Sequence, residues 1–360
     1  MTQAVALAQQ ASTGVSPGFR NRIINGGMTI DQRNAGASVT LGVGNPTYTL
    51  DRWGFQTSQA SKLSVQQNAG SVTPPVGFSN YLGITSLSAY SVGSGDYYTF
   101  QQRIEGFNTS DLGWGTANAK TITISFWVRS SLTGTFGGSL TNSAFDRSYP
   151  FSYTISAANT WEYETITIAG DTTGTWIGAT NGIGIFLTFG LGVGSTYNGT
   201  AGSWQASGLL SATGATSVVG TNGATFYITG VQLEVGSTAT SFDYRPYQTE
   251  LNLCYRYCYA LYKGDNIYYA QGGYFDSTTV KTQIQLPSTM RTTPTISYTG
   301  YSSFYRNGTL DANNVNGWTV SLANNNTAQL TSSNAMSGTA GQIGWLYSGG
   351  TSQLIFLAEL

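Results

Sequence analysis

The 360-residue chain has no histidine, only two cysteines and little charge: Asp, Glu, Lys and Arg together make up 9% of it, against about 25% in an average soluble protein. The missing histidine excludes a Ser-His-Asp triad, a Cys-His pair, imidazole metal ligation and an imidazole charge switch near neutral pH. Four lysines and eleven arginines, the latter scattered from Arg20 to Arg306, are too few and too dispersed to track a phosphate backbone. Nucleic acid is therefore not an expected partner. No run approaches the roughly eighteen apolar residues of a membrane-spanning helix, so membrane insertion is not expected either. The opening MTQAVALAQQASTGVSPGF has no cation before Arg20 and only a short apolar run at 4–8. It fails as a secretory signal, which points to synthesis in a cytoplasm. Cys254 and Cys258 sit four residues apart, where a bridge would strain a helical turn. Both read as small buried hydrophobes.

What the chain does hold is aromatic and polar without charge. It has 23 Tyr, 16 Phe, 8 Trp and 46 Gly, and a formal charge of −1. Low hydrophobicity and high net charge, the marks of disorder, are both missing. A Tyr-, Thr-, Ser-, Asn- and Gly-rich chain of this kind reads as β-sheet with hydroxyl- and amide-covered surfaces. Such surfaces suit a protein held in an assembly better than one free in a crowded solution.

Residues 1–20 read as a separate arm with a short Ala/Gln-rich helix, ended by Gly14 and Pro17. From 21 to 246 short strands alternate with turn signals. In 120–129, Ile122, Ile124, Phe126 and Val128 alternate with polar residues and Trp127. In 183–189, Ile183, Ile185, Leu187 and Phe189 share a face, and in 225–235 Tyr227, Val231, Leu233 and Val235 share a parity. In 160–169 the apolar parity switches between Tyr163 and Ile166, which predicts a β-bulge near Glu164. Asn-Gly pairs at 25–26, 181–182, 198–199 and 222–223 mark tight turns. Many short strands and no long helix predict a jelly-roll β-sandwich. The stretch 247–262 breaks the pattern, because Leu251, Cys254, Tyr257, Cys258 and Leu261 fall at helical spacing over 248–261. Beyond it, 263–360 returns to strands and is the size of a smaller C-terminal β-sandwich. The expected fold class is all-β, with one short connector helix between the two sandwiches.

At the connector the sequence becomes recognisable. GVQLEVGSTATSFDYRPYQTELNLCYRYCY (230–259) resembles a segment recurrent in bacteriophage tail-fibre and related virion proteins. NRIINGGMTIDQRNAG (21–36) followed by YTLDRWGF (48–55) is similar to the opening of the same unit, and FLAEL at 356–360 is similar to its closing strand. The resemblance implies a carbohydrate-binding-module-like jelly roll, a connector and a C-terminal head, assembled as a homotrimer on a phage particle. It implies virion localisation on the tail or capsid surface, with the 1–20 arm docking on other virion proteins. The favoured reading is a non-enzymatic tail fibre or receptor-binding protein that attaches to a host-surface glycan or protein. The alternative is a capsid decoration (cement) protein. On the trimer reading, the connector face of Leu251, Cys254, Tyr257, Cys258 and Leu261 lies near the threefold axis.

Glu162 and Glu164 share a strand face, the arrangement in which paired carboxylates hydrolyse glycosides. Alternating Glu on a solvent-facing strand is far commoner, and no catalytic residue is assigned. Asp96, Glu105 and Asp111 are loose carboxylates without the spacing of a helical calcium loop, and no metal or cofactor is expected. Trp53 and Trp127 read as core. Trp114, Trp176 and Trp204 lie in Gly/Ser/Thr-rich stretches and present indoles suited to stacking on sugar rings. In the head, Tyr301, Phe304 and Tyr305 with Asn307 read as a loop able to make the same kind of contact.

Overall fold

The computed structural model describes residues 20–44, 46–306, 309–310 and 314–360. The expected docking arm, save Arg20, and Asn307 lie outside the described residues. The fold is all-β. Two six-stranded sheets face each other. One runs Val39–Thr40, Leu63–Gln67, Leu82–Ser86, Thr225–Val235, Ile122–Ser130, Glu162–Ile168. The other runs Thr47–Tyr48, Gly54–Thr57, Tyr97–Glu105, Ile183–Val193, Gly134–Thr141, Ser148–Ile155. Every pairing within them is antiparallel. The alternation read from 122–128 is what closes the layer. Ile122, Ile124, Phe126 and Val128 are fully buried and meet Phe100, Phe136, Leu187 and Phe189 from the opposite sheet in one core.

Two local expectations are corrected. The strand Glu162–Ile168 pairs residue by residue with 122–128, without a bulge. Its parity changes because Tyr163 points outward onto Trp127 while Ile168 points into the core. The bulge lies instead in Thr225–Val235, where the pairing shifts between Thr229 and Gln232. Phe226 and Ile228 therefore face the core before the bulge, and Val231 and Leu233 after it. Tyr227 takes the other face and packs with Tyr81. Gly230, at φ +63°, makes the bulge affordable to the backbone.

The connector helix is shorter than its spacing predicts. It runs Tyr247–Tyr255, and Cys258–Lys263 is already a strand pairing with Gln353–Leu357. One more helical turn adds few hydrogen bonds, whereas residues 353–357 of the long strand Ile343–Leu357 offer an edge that its other neighbour on that side, Tyr268–Tyr274, does not reach. The C-terminal unit is one eight-stranded antiparallel sheet folded over its own core of Phe304, Leu346, Leu354, Phe356, Leu330 and Trp318.

A third, smaller cluster joins the two units: Cys254 and Tyr257 pack with Ile24 and Ile30, flanked by Leu251, Leu253 and Leu360. Cys254, Tyr257 and Cys258 are fully buried inside one chain, and Leu261 packs on the C-terminal core. The connector face expected at a threefold axis is thus covered by its own chain. Around this cluster sits a network of charges. Glu359 accepts from Arg33 at 2.8 Å and from Arg52, whose guanidinium lies 3.6 Å over the Tyr257 ring. Arg33 also reaches Asp51 at 3.3 Å. Glu105 accepts from Arg256 Nε at 2.8 Å and from the Tyr257 hydroxyl at 2.6 Å. Burial alone would raise Glu105, but these donors hold it below the usual carboxylate range.

Glu359→Ala leaves Arg52, 1% exposed, without its carboxylate. Removing one partner of a buried pair costs about 3–5 kcal/mol, and denaturant titration should show that loss at unchanged slope. A loss under about 1 kcal/mol would mean the pair is energetically neutral. Asp51 gives a pH-dependent counterpart. Burial pushes its carboxyl up to about 6 against the pull of Arg33, above the ordinary ~3.9 of an unfolded chain. The folded state therefore holds the proton more tightly. The resulting stabilisation is full below about pH 4 and is lost as pH rises through 6. Stability measured from pH 4 to 7 should fall for the native chain relative to Asp51→Asn, and parallel profiles would refute the shift.

Candidate functional site

The structure brings the three jelly-roll tryptophans together, although they come from three separate loops. Ring centroids lie 4.8 Å apart for Trp114–Trp176 and 5.4 Å for both Trp114–Trp204 and Trp176–Trp204, all edge-to-face. Each indole N–H is already spent on a backbone carbonyl: Trp114 on Lys120 at 2.8 Å, Trp204 on Ala169 at 2.8 Å, Trp176 on Thr173 at 3.1 Å. Trp114 is buried, while Trp176 and Trp204 are half-buried. A cleft of about 290 Å³ opens beside Trp114 and Trp176, floored by Leu112 and Ile185. The cluster is first of all a packing device that ties loops to the sandwich, with the Trp176 edge left facing a small cleft.

The head residues part company. Tyr301, Phe304 and Tyr305 lie on the strand Thr295–Arg306, not on a loop. Phe304 is fully buried and meets Tyr274 edge-on at 5.4 Å, so it cannot touch a ligand. Its strand neighbours take alternate faces, which leaves Tyr301 exposed and Tyr305 half-buried on the outside.

The surface that sequence reading missed lies on the outer face of the sheet containing 122–130. Trp127, expected in the core, stands on this face because it occupies the opposite parity to Phe126 and Val128. It packs against Tyr163 at 5.3 Å. Beside them Phe78, Phe242 and Tyr244 form a mutual cluster with centroids 4.9–5.5 Å apart. Two clefts of about 390 and 280 Å³ meet at these three rings. The first is walled by Trp127, Tyr163, Ser125 and Thr240, the second by Tyr247, Thr29 and Ser79. The bulge makes the groove possible, since a Cβ on Gly230 would stand 2.6 Å from the Phe78 ring. The charged residues of the groove, Arg245 and Glu250, pair with each other at 3.2 Å and are largely buried. What remains is a row of ring faces and edges flanked by hydroxyls. The signal that could have found it is Trp127 and Tyr163 both standing at polar-face positions of neighbouring strands.

The acidic residues are engaged elsewhere. Glu162 accepts the backbone N–H groups of Ser156 at 3.0 Å and Ala157 at 2.8 Å, which lower its pKa. Burial, then Glu162, raises Glu164. Neither lines the clefts above. Asp96 accepts from Ser58 and Tyr90, and Asp111 pairs with Arg22. With Glu105 at the seam, the three loose carboxylates serve three different places. Among the described residues no group of three or more Cys, Asp or Glu is placed to hold a metal ion, and no helix is long and apolar enough to cross a membrane.

No protein family and no curated protein matches the chain. Solved structures of similar shape include the enzymatically active domain of tailspike protein 4 from bacteriophage CBA120, at 13% identity and TM-score 0.32, over 62% of this chain and 22% of that one. A putative sugar-binding protein from Bacteroides thetaiotaomicron is similar at 12% identity and TM-score 0.37, over 60% of this chain and 100% of that one. A family 11 carbohydrate-binding module from Clostridium thermocellum is similar at 11% identity and TM-score 0.27, over 56% and 98%.

Packing and groove residues separate by stability. Trp114→Ala removes a buried indole and should cost about 3–5 kcal/mol. Tyr244→Ala, at a ring 59% exposed, should cost less than about 1 kcal/mol. Thermal or denaturant unfolding of the two variants checks the contrast, and equal losses would overturn the division.

Proposed function

We propose that the protein is a non-enzymatic, glycan-binding component of a bacteriophage particle: a homotrimeric tail fibre or receptor-binding protein that attaches to host-surface glycans. One observation carries the glycan reading, the uncharged aromatic groove of Trp127, Tyr163, Phe78, Phe242 and Tyr244. Cell-surface glycans present hydroxyls and flat apolar ring faces, and this groove presents ring faces flanked by Ser and Thr hydroxyls. The Trp114–Trp176 cleft is a secondary contact of the same chemistry. The engagement of Glu162 by backbone donors supports a binding rather than a hydrolytic role. The phage assignment rests on the resemblance of 21–36, 48–55, 230–259 and 356–360 to tail-fibre segments. Single aromatic contacts are weak, on the order of 0.5–1.5 kcal/mol. Three copies together raise apparent affinity by roughly 10²–10⁴.

The test is glycan-array screening followed by calorimetry on a ligand so found. Trp127→Ala and Tyr244→Ala should each weaken binding by about two- to ten-fold, with stability retained. Because the groove offers no free charge, affinity should change little between low and high salt. A steep salt dependence, or full affinity in both variants, would overturn the groove as the site. Electron microscopy of particles should place the chain on the tail, and density on the capsid shell would make it a decoration protein instead.

A further inference from the structure

Large apolar side chains stand in register on the solvent side of the C-terminal sheet. Leu310 pairs with Tyr305, Tyr305 with Trp345, and Trp345 with Gln271, so one row crosses four strands. In the next row Tyr347 pairs with Tyr268, their rings 5.3 Å apart. Ile343 stands two residues before Trp345, on the same face. The intervening Gly344 and Leu346 point inward and are buried. Ile343 is 72% exposed, Tyr268 60%, Leu310 52% and Trp345 48%. Tyr301 extends the face, its ring lying so close over Gly349 that a Cβ there would come within 2.0 Å of it.

We propose that this outer sheet face is the surface through which copies of the chain associate, three of them presenting it to a common axis. The inference rests on the homotrimer reading and moves its interface from the connector, which the chain itself covers, to the head. Three observations select a second copy as the occupant. The tips of Leu310 and Ile343 are branched aliphatics, which cannot stack on a sugar ring and gain only by burial against another apolar surface. Among the described residues, the rows through Tyr305, Trp345 and Tyr347 carry no Asp, Glu, Lys or Arg. Symmetry-related copies therefore meet without like-charge repulsion. Lys281 pairs with Gly273 in the row of Ile343 and is held 3.8 Å over the Phe275 ring. Finally, the exposed apolar area of these side chains is on the order of 500 Å², near the upper end of what a monomer carries. With its polar flanks it approaches the roughly 800 Å² each partner gives to a stable interface.

Light scattering coupled to size exclusion and sedimentation equilibrium on the full chain test the proposal, with Ile343→Ser/Trp345→Ser and, separately, Leu310→Ser/Tyr268→Ser. These side chains are exposed in the single chain, so each variant should keep the far-ultraviolet circular dichroism and melting of a folded β protein. The native chain should run at about three times 38.2 kDa, and both variants at one chain mass at micromolar concentration. Per-site glycan affinity in the groove should be unchanged, while avidity falls by roughly 10²–10⁴. A native trimer that persists in both folded variants would overturn this surface and leave the trimer reading standing. A native chain that is monomeric would overturn both. Loss of groove binding with assembly intact would refute the glycan reading alone.

Discussion

The carboxylate of Glu359, held by Arg33 and by Arg52, whose guanidinium lies over the Tyr257 ring, is the contact on which the arrangement of the chain turns. A buried guanidinium is tolerable only with a matched acceptor, and here the acceptor stands two residues beyond the last strand, Ile343–Leu357. The C-terminal sheet must therefore return to the jelly roll for the seam to be neutral. Its other ties have the same logic: Arg256 and Tyr257 reach Glu105, and Gln32 donates to the Cys258 carbonyl at 2.9 Å. Arg245 donates to the Ile23 carbonyl at 3.1 Å. Residues from the segments 21–36, 48–55, 230–259 and 356–360 thus meet in space at one place. The seam's cysteines act as small apolar filler whose thiols burial pushes far from ionising.

Spending charge inside has a consequence outside. With only 9% charged residues, and Arg22, Arg147, Arg245 and Arg256 all engaged in ion pairs, little is left to ionise the exposed faces. The groove and the head face are both neutral for this reason. They differ in what they present. The groove offers rings beside hydroxyls in a concavity, which suits a sugar. The head offers branched aliphatics beside rings on an open sheet, which suits protein.

The bulge in Thr225–Val235 links the two themes. By shifting register it leaves the Val231 carbonyl free to accept from Asn21 at 3.0 Å, and the Val231 N–H free to donate to Gly26 at 3.0 Å. The opening segment is thereby stitched along the strand and carried to the seam. The same Gly230 clears space for Phe78 and so for the groove. One residue with positive φ serves both the joint and the site.

Sequence alone determined the fold class and located strands at 120–129 and 183–189, which the structure gives as Ile122–Ser130 and Ile183–Val193, because strand periodicity is a local property that neighbouring residues report. It also predicted that Cys254 and Cys258 are buried, as they are. Only the tertiary structure decided which face each aromatic takes. Trp127 moved outward and Phe304 inward, while Trp114, Trp176 and Trp204 turned out to touch one another. It alone decided where the helix stops, since the edge that captures Cys258–Lys263 is supplied by residues 353–357. It alone showed that Arg52 finds its counter-charge 307 positions away. Pairings of that range depend on how the sheets close, and no local period records them.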